Sequence, residues 1–484
     1  MRYITRFIIT IHRLLGTLLS ILSFVWFASG LVMIDHGRFP RIDSNDRLLK
    51  NEPVTAAGLP STDSLRTLIP DNVESITLDR YLGQTVLHVK AGLESADILT
   101  DAAGVLPEMN WERVLQVASL WNDAPIERVD TLHKLDQWIP FGRNKSHLPI
   151  YKFYFDDSAK HQLYISSQTC EPLQYTDADS RFWAWLGPIP HWIYFTSLRQ
   201  DVDLWISVVI WLSGLCCIML IAGIYLGIRD FRLARKMHRI SPFRKFWYKW
   251  HHIMGLVFGI FALMFCFSGM MSLAKVEDLC IHAKLDINPV QELRHISPSL
   301  AEYSLDYRLV LEASKGSVLQ LEWSSFGDIP IYIIRTAEGQ KTVDARTGTL
   351  LNLTREDVVR IISRIHGGHS DIDIELMDDY DTYYLSSSRK LDLPVWKVKV
   401  ADIDGSTWYI NPSDGQCRYM NTPSRWRHWT YRALHSLNIK FLVDRPWLWN
   451  ILMWGLMIAG TFISISALPL AVKYIIRLCR RNKH

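Results

Sequence analysis

Four stretches of this chain, at about 7–33, 204–228, 253–274 and 447–472, are apolar over the roughly 20 residues that a helix needs to cross a bilayer. What lies between them alternates polar and apolar residues and reads as soluble. The expected class is therefore a membrane α+β protein, a bundle of four transmembrane helices carrying two α+β modules on one side. The boundaries read from the sequence are helix 1–34, module 35–200, helix 201–228, basic linker 229–250, helix 251–274, module 275–446, helix 447–476 and tail 477–484.

Charge sets the expected orientation. The linker "RDFRLARKMHRISPFRKFWYKW" at 229–250 holds eight Lys/Arg against one Asp, and the tail "KYIIRLCRRNKH" is also basic. The positive-inside rule places both in the cytoplasm. Arg2, Arg6 and Arg13 agree, so both termini are expected in the cytoplasm and the modules in a bacterial periplasm, making a multi-pass inner-membrane protein. The net charge of +4 then reflects topology, and nucleic acid is not an expected partner. The first apolar run exceeds the roughly 7–15 residues of a signal-peptide core, so it is read as a retained helix.

Seven cysteines make no framework. Cys216, Cys217 and Cys266 fall inside apolar runs, Cys479 lies in the tail, and only Cys170, Cys280 and Cys417 would face an oxidising compartment. A Cys170–Cys417 disulfide is one option. No CxxC or CxxCH occurs, so thioredoxin-like redox chemistry and covalent haem attachment lack their motifs. No GxGxxG or P-loop supports nicotinamide, flavin or ATP binding.

The chain repeats itself. "IHRLLGTLLSILSFVWFASG" at 11–30 and "WHHIMGLVFGIFALMFCFSG" at 250–269 share one skeleton: His12, Gly16, Ser29 and Gly30 recur as His251, Gly255, Ser268 and Gly269. "RFWAWLGPIPHWIYFTSLRQDVDLW" at 181–205 and "RWRHWTYRALHSLNIKFLVDRPWLW" at 425–449 align at one offset, pairing Arg181 with Arg425 and His191 with His435. Upstream, "LPIYKFYF" parallels "LPVWKVKV", read as antiparallel hairpins. "NWERVLQVASLW" and "TREDVVRIISRIH" read as a helix in each module, with Thr354 as an N-cap. An internal duplication is the expected architecture.

The histidines suggest what the repeat is for. At about 100° and 1.5 Å per residue, His12 and Gly30 lie five turns apart on one face, over about 27 Å. Each such helix thus presents an imidazole at its cytoplasmic end and small residues along the same stripe. Small residues alone indicate close helix packing. Ionisable groups at membrane depth are costly and usually face the bundle interior. Two neutral imidazoles on facing helices are a means of holding a b-type haem, with Gly16 and Gly255 leaving room for the macrocycle. His12 with His251 near the cytoplasmic face, and His191 with His435 near the periplasmic face, would hold two haems as axial iron ligands. Snorkelling interfacial histidines are the competing reading; His252 aligns with Arg13 and is the weaker candidate. Arg181 and Arg425 would pair with haem propionates.

"IHGGHSDID" at 365–373 sets His366 and His369 beside two aspartates, which fits a metal site or a glycine-broken helix end. Tryptophans at the run ends, such as Trp205, Trp250, Trp447 and Trp449, read as an interfacial belt.

"HRLLG", "HHIMG", the two "SG" closures, "LPVWKV", "WYINPSDG", "TVDARTGTLL" and "RALHSL", taken in order, resemble the PepSY-associated transmembrane family, which includes inner-membrane ferric-siderophore reductases. The first half departs from that pattern in "PIPHWI" and "YISSQTCEP", which bears most on His191. The resemblance implies a di-haem b oxidoreductase that takes electrons from a quinol or a separate reductase and reduces a periplasmic ferric siderophore or other ferric chelate, releasing Fe(II). A membrane-tethered PepSY binding or inhibitory module without cofactor is the alternative, and a transporter using its histidines as a proton relay is a third.

Overall fold

The computed structural model describes residues 2–69, 73–91, 94–99, 110–274, 281–294, 300–368, 371–387 and 389–481. Four long helices dominate it: α1 (Arg2–Asp35), α2 (Val202–Lys236), α3 (Phe246–Leu273) and α4 (Pro446–Arg481). All four are long and apolar enough to cross a membrane. Helices of 34–36 residues rise about 50 Å, against a hydrocarbon core of about 30 Å, so α1, α2 and α4 project beyond it. The sequence placed the end of the second run at 228, yet α2 continues to Lys236. Charged residues do not end a helix when they face water, and the one aspartate of that stretch, Asp230, is held by Arg229 at 2.5 Å.

α1 packs on α2 and α4, and α3 packs on the same two. α1 and α3 therefore face one another across the middle of the bundle. There Phe27 of α1 meets Phe265 of α3 edge to face, 6.4 Å apart.

The extramembrane part holds three antiparallel sheets. β1 (Ser75–Tyr81), β2 (Gln84–Ala91) and β3 (Glu94–Leu99) come from the first half. β4 (Ile126–Leu132), β5 (Ile150–Phe155), β6 (Gln162–Ser166) and β7 (Pro172–Thr176) form a meander of their own. The second half repeats the order with β8 (Gln320–Phe326), β9 (Ile329–Thr336) and β10 (Gly339–Asp344), then the meander β11 (Ile372–Met377), β12 (Val395–Val400), β13 (Thr407–Ile410) and β14 (Cys417–Met420).

The two segments are not the separate modules that their boundaries suggest. β1 pairs with β8, Ile76 opposite Trp323 and Leu78 opposite Leu321, so the leading strands of both halves merge into one six-stranded sheet ordered β10-β9-β8-β1-β2-β3. Ile76, Leu78, Leu87, Leu321 and Trp323 are buried in a single core drawn from both halves. An edge strand presents unpaired backbone groups, and pairing β1 with β8 satisfies both edges at once.

Each meander is covered by the helix expected for it. Helix Trp111–Trp121 buries Val114, Val117, Ala118 and Trp121 against Phe153, Phe155, Leu163 and Ile165. Helix Arg355–Ile365 buries Val358, Ile361 and Ile362 against Val398, Val400, Trp408 and Ile410. Thr354 caps the latter, its hydroxyl accepting from the Asp357 N–H in a capping box. Cys170 and Cys417 are free thiols in these two different cores, so the Cys170–Cys417 disulfide is not formed.

The helix Arg355–Ile365 does end at glycines, Gly367 and Gly368 both having positive φ. His366 is nonetheless buried rather than solvated. The Trp408 indole N–H donates to its Nε2 at 3.0 Å, and the Asp402 carboxylate lies 3.0 Å from its Nδ1. It is a core group whose Nε2 is hydrogen-bonded while its Nδ1 sits beside the buried carboxylate without a well-aligned hydrogen bond, and no group of three or more metal-ligating side chains occurs among the described residues. His369 and Cys280 lie outside the described residues. Trp408→Phe keeps the ring but leaves the His366 nitrogen without its donor, and should cost about 1–3 kcal/mol, read as a lower melting temperature.

Candidate functional site

Each meander delivers a histidine to the membrane bundle. After β7, Asp177 caps helix Ala178–Leu186, with Ser180 completing a capping box. The chain breaks at Gly187 and Pro188, then carries His191 on the short helix Pro188–Trp192. Gly187 lets the chain pass close, since a Cβ would lie 3.1 Å from Val32 of α1 and 3.3 Å from the His36 carbonyl just past its end. After β14, Asn421 and Ser424 cap helix Thr422–Arg427, which widens into a π-helix over His428–Ala433 before His435. Two different irregularities thus place His191 and His435 alike. The departure "PIPHWI" alters the local route and not the destination of its histidine.

At this end of the bundle the His191 and His435 rings face each other with centres 6.1 Å apart. At the other end, His12 of α1 and His251 of α3 face each other across the bundle at 6.3 Å. All four histidines expected to act together do meet, in the pairs expected.

The second atom of each ring is spoken for. His12 Nδ1 is 3.0 Å from the Met219 carbonyl on α2, and His251 Nδ1 is 2.9 Å from Ser466 Oγ on α4. His191 Nδ1 lies 3.2 Å from the Trp26 carbonyl and 3.3 Å from Ser29 Oγ. His435 Nδ1 lies 3.1 Å from Ser268 Oγ. Ser29, Ser268 and Ser466 each give their own hydroxyl hydrogen to a helix carbonyl, of Val25, Phe265 and Ile463. Their oxygens must therefore accept from Nδ1–H, which fixes the tautomer in which Nε2 carries a bare lone pair. No hydrogen bond engages an Nε2 of these four rings among the described residues.

Glycines lie among the surroundings, together with the Phe265 and Tyr431 rings on His435. A Cβ on Gly255 would meet nothing within 4 Å, and one on Gly16 only the Met219 sulfur at 3.9 Å. On Gly269 it would meet Cε1 of His435 at 3.6 Å; on Gly30 it would press first on the Met457 sulfur at 3.0 Å, with Cε1 of His191 at 3.6 Å. The Ser-Gly closures of the repeat thus meet the far histidines: the serine orients the ring and the glycine lies beside it. Sequence spacing displayed both residues without assigning the first a role. Gly223 was not anticipated; a Cβ there would lie 2.7 Å from His12 Cε1, so its absence lets the imidazole lie against α2.

Two expectations need correction. Arg181 donates to the Thr176 carbonyl and hydroxyl at 3.2 and 2.9 Å and to the Lys160 carbonyl at 2.7 Å. Arg425 donates to the carbonyls of Asp404 and Gly405 and to the Thr407 hydroxyl. Both guanidinium groups clasp their own meander and are not extended toward the histidine pairs, because unpaired turn carbonyls compete for them first. His252, the weaker candidate, turns to α2, 3.2 Å from the Gly227 carbonyl.

One further histidine escaped notice because it has no counterpart in the first half. His428 is buried against Tyr383 and Trp429, and neither ring nitrogen has a hydrogen-bond partner among the described residues. Burial, with the Arg418 and Arg432 charges beside it, pushes it down to about 4, so it is held neutral.

A single metal ion bound by two imidazoles at about 2.0–2.1 Å, each ring centre lying about 1.1 Å behind its donor nitrogen, sets the ring centres roughly 6.3 Å apart. Both pairs have that separation. Two nitrogens are too few for a bare ion, which takes four or more ligands, whereas a porphyrin supplies four of its own in a plane. The two oriented imidazoles and the glycine-lined space beside them fit that group.

Fold and site together define a membrane protein with four apolar helices and an imidazole pair at each end of the bundle. The family model of the PepSY-associated TM region matches residues 9–288, more than half of the chain, and the protein belongs to that family. The matched span includes His12, His191 and His251. No curated protein matches the chain.

Proposed function

We propose that this protein is a haem b oxidoreductase of a bacterial inner membrane, with both termini in the cytoplasm, that carries electrons outward to reduce a ferric siderophore or similar ferric chelate. The observation that carries the reading is the separation of the paired rings, 6.3 and 6.1 Å, each ring oriented through Nδ1 with Nε2 bare. The basic stretches at 229–250 and 473–484 support the orientation. The recurrence of the paired histidines and of the Ser-Gly closures in both halves supports an internal duplication.

Bound between His12 and His251 and between His191 and His435, haem would supply one-electron redox chemistry at each end of the bundle. The chain's own residues do the rest. Met219 and the three serines hold the imidazoles in one tautomer, and Phe27, Phe265 and the apolar helix faces keep water from the space between the two ends. A quinol or a separate reductase on the cytoplasmic side gives up the electrons; each one converts one Fe(III) to Fe(II), which hard oxygen donors hold weakly.

The purified protein should give two haems per chain in a pyridine haemochrome assay. His12→Ala and His251→Ala should each remove the same single haem, leaving one. A colourless, folded preparation would overturn the reading in favour of a tethered binding module, and retention of both haems in either variant would overturn this pairing.

A further inference from the structure

The segment that carries His435 also floors a cavity of about 720 Å³ on the extramembrane side. Arg389, Lys390, Arg418 and Arg432 line it, against a single acidic side chain, Asp392. None of the four cations forms an ion pair among the described residues. The Arg418 guanidinium is pushed below its ordinary range by burial and by the neighbouring Arg432 and Arg389 charges, the mark of like charges assembled without a counterion. Such a cluster costs stability unless something negative occupies it.

Aromatic walls complete the cavity. Tyr384, Tyr409 and Tyr431 line it, and the first two have their hydroxyls committed, to the Asp392 carbonyl at 2.9 Å and the Asp381 carboxylate at 2.7 Å. They offer fixed faces rather than mobile donors. The Tyr431 ring is 5.6 Å from His435, and Arg432, Ser436 and Asn438 flank that histidine in sequence. The cavity therefore abuts the histidine pair at the module end. Among the described residues the first half has no such assembly: the equivalents of Arg418 and Arg432, at one offset, are Gln174 and Pro188.

Resting on the proposed function, we infer that this cavity is the docking site of the electron acceptor and that it selects polyanionic ferric chelates, of the carboxylate or catecholate kind, over neutral or cationic ones. The volume lies within the 300–1,000 Å³ usual for small-molecule sites, and planar guanidinium forks suit carboxylate oxygens. The one electron arriving at the His191–His435 pair reduces the docked Fe(III) to Fe(II), with no bond to the chain formed or broken.

Gallium(III) citrate, a polyanionic complex that cannot be reduced in this way, separates binding from electron transfer. Titration calorimetry of the whole haem-loaded protein in detergent should show saturable binding that weakens at least 30-fold in the Arg418→Gln/Arg432→Gln double variant and less in Arg389→Gln/Lys390→Gln at the exposed rim. Arg432→Lys should restore most of the affinity lost in Arg432→Gln. A neutral gallium trihydroxamate should bind weakly to all forms. Equal binding of citrate complex by wild type and both double variants would overturn the inference, as would equal affinity for the neutral complex. A haem content that falls in the Arg418/Arg432 variant while citrate binding persists would also overturn it, assigning the cations to the propionates of the prosthetic group. Citrate binding to a colourless protein would preserve the site and sink the redox reading instead.

Discussion

Replacing His435 with alanine should lower the rate at which quinol-driven vesicles reduce an external ferric chelate by more than about 100-fold. Loss of a partner that merely orients a ligand costs roughly 10–100-fold, and loss of the ligand itself exceeds that. The facing ring of His191 could not compensate, because it would be left to hold the group alone. Ser268→Ala is the graded control: it removes the oxygen that accepts from His435 Nδ1 at 3.1 Å and should cost about 10-fold, with the spectrum perturbed and the haem retained. His435→Ala with unchanged reduction, measured as Fe(II) trapped outside the vesicles, would move the exit of the electron elsewhere.

The second large effect belongs to packing. Gly460 on α4 lies directly against the Phe27 ring of α1, so close that any Cβ would overlap several ring carbons. Phe27 is buried and cannot swing outward, since Phe265 stands edge-on beside it. Gly460→Val should therefore destabilise the bundle by about 3 kcal/mol, the upper end of the range for overpacking. Phe27→Ala in the same chain makes room, so the double variant should recover part of that loss, with a coupling of about 0.5–3 kcal/mol between the two sites. Thermal unfolding in detergent measures all three. Additive losses would show that the two residues do not press on each other.

The parts of this protein that were legible in its sequence are those written by periodicity. Four apolar runs gave four long helices, the cap at Thr354 and the helix at 110–121 followed from local chemistry, and the recurrence of His12 as His251 and of His191 as His435 in matching segments was enough to pair them. Contacts that depend on a third element were not legible. Gly223 and Met219 sit on α2, which the repeat does not align with α1, so nothing in the spacing ties them to His12. Arg181 and Arg425 recur at one offset, which shows equivalence but not purpose; their hydrogens go to turn carbonyls mostly about 20 residues upstream, contacts that no local spacing displays. The joined sheet was hidden for a similar reason, because alternation of polar and apolar residues shows that a strand has an inner face without naming its neighbour. The cation-lined cavity draws on residues from 384 to 438, each ordinary in its own stretch.

The junction of β1 with β8 has a consequence for how such a chain can be divided. Cut at the linker after α2, either half would keep its own meander and its own helices but would expose a long strand whose backbone groups have lost their mate, and one ring of each histidine pair. A protein built from one half alone would be obliged to seek a second copy of itself, matching strand to strand and imidazole to imidazole about a common axis. Carried on a single polypeptide, the two halves reach that arrangement without waiting for a collision, and they need not be alike: the cation-lined basin lies in the second alone among the described residues.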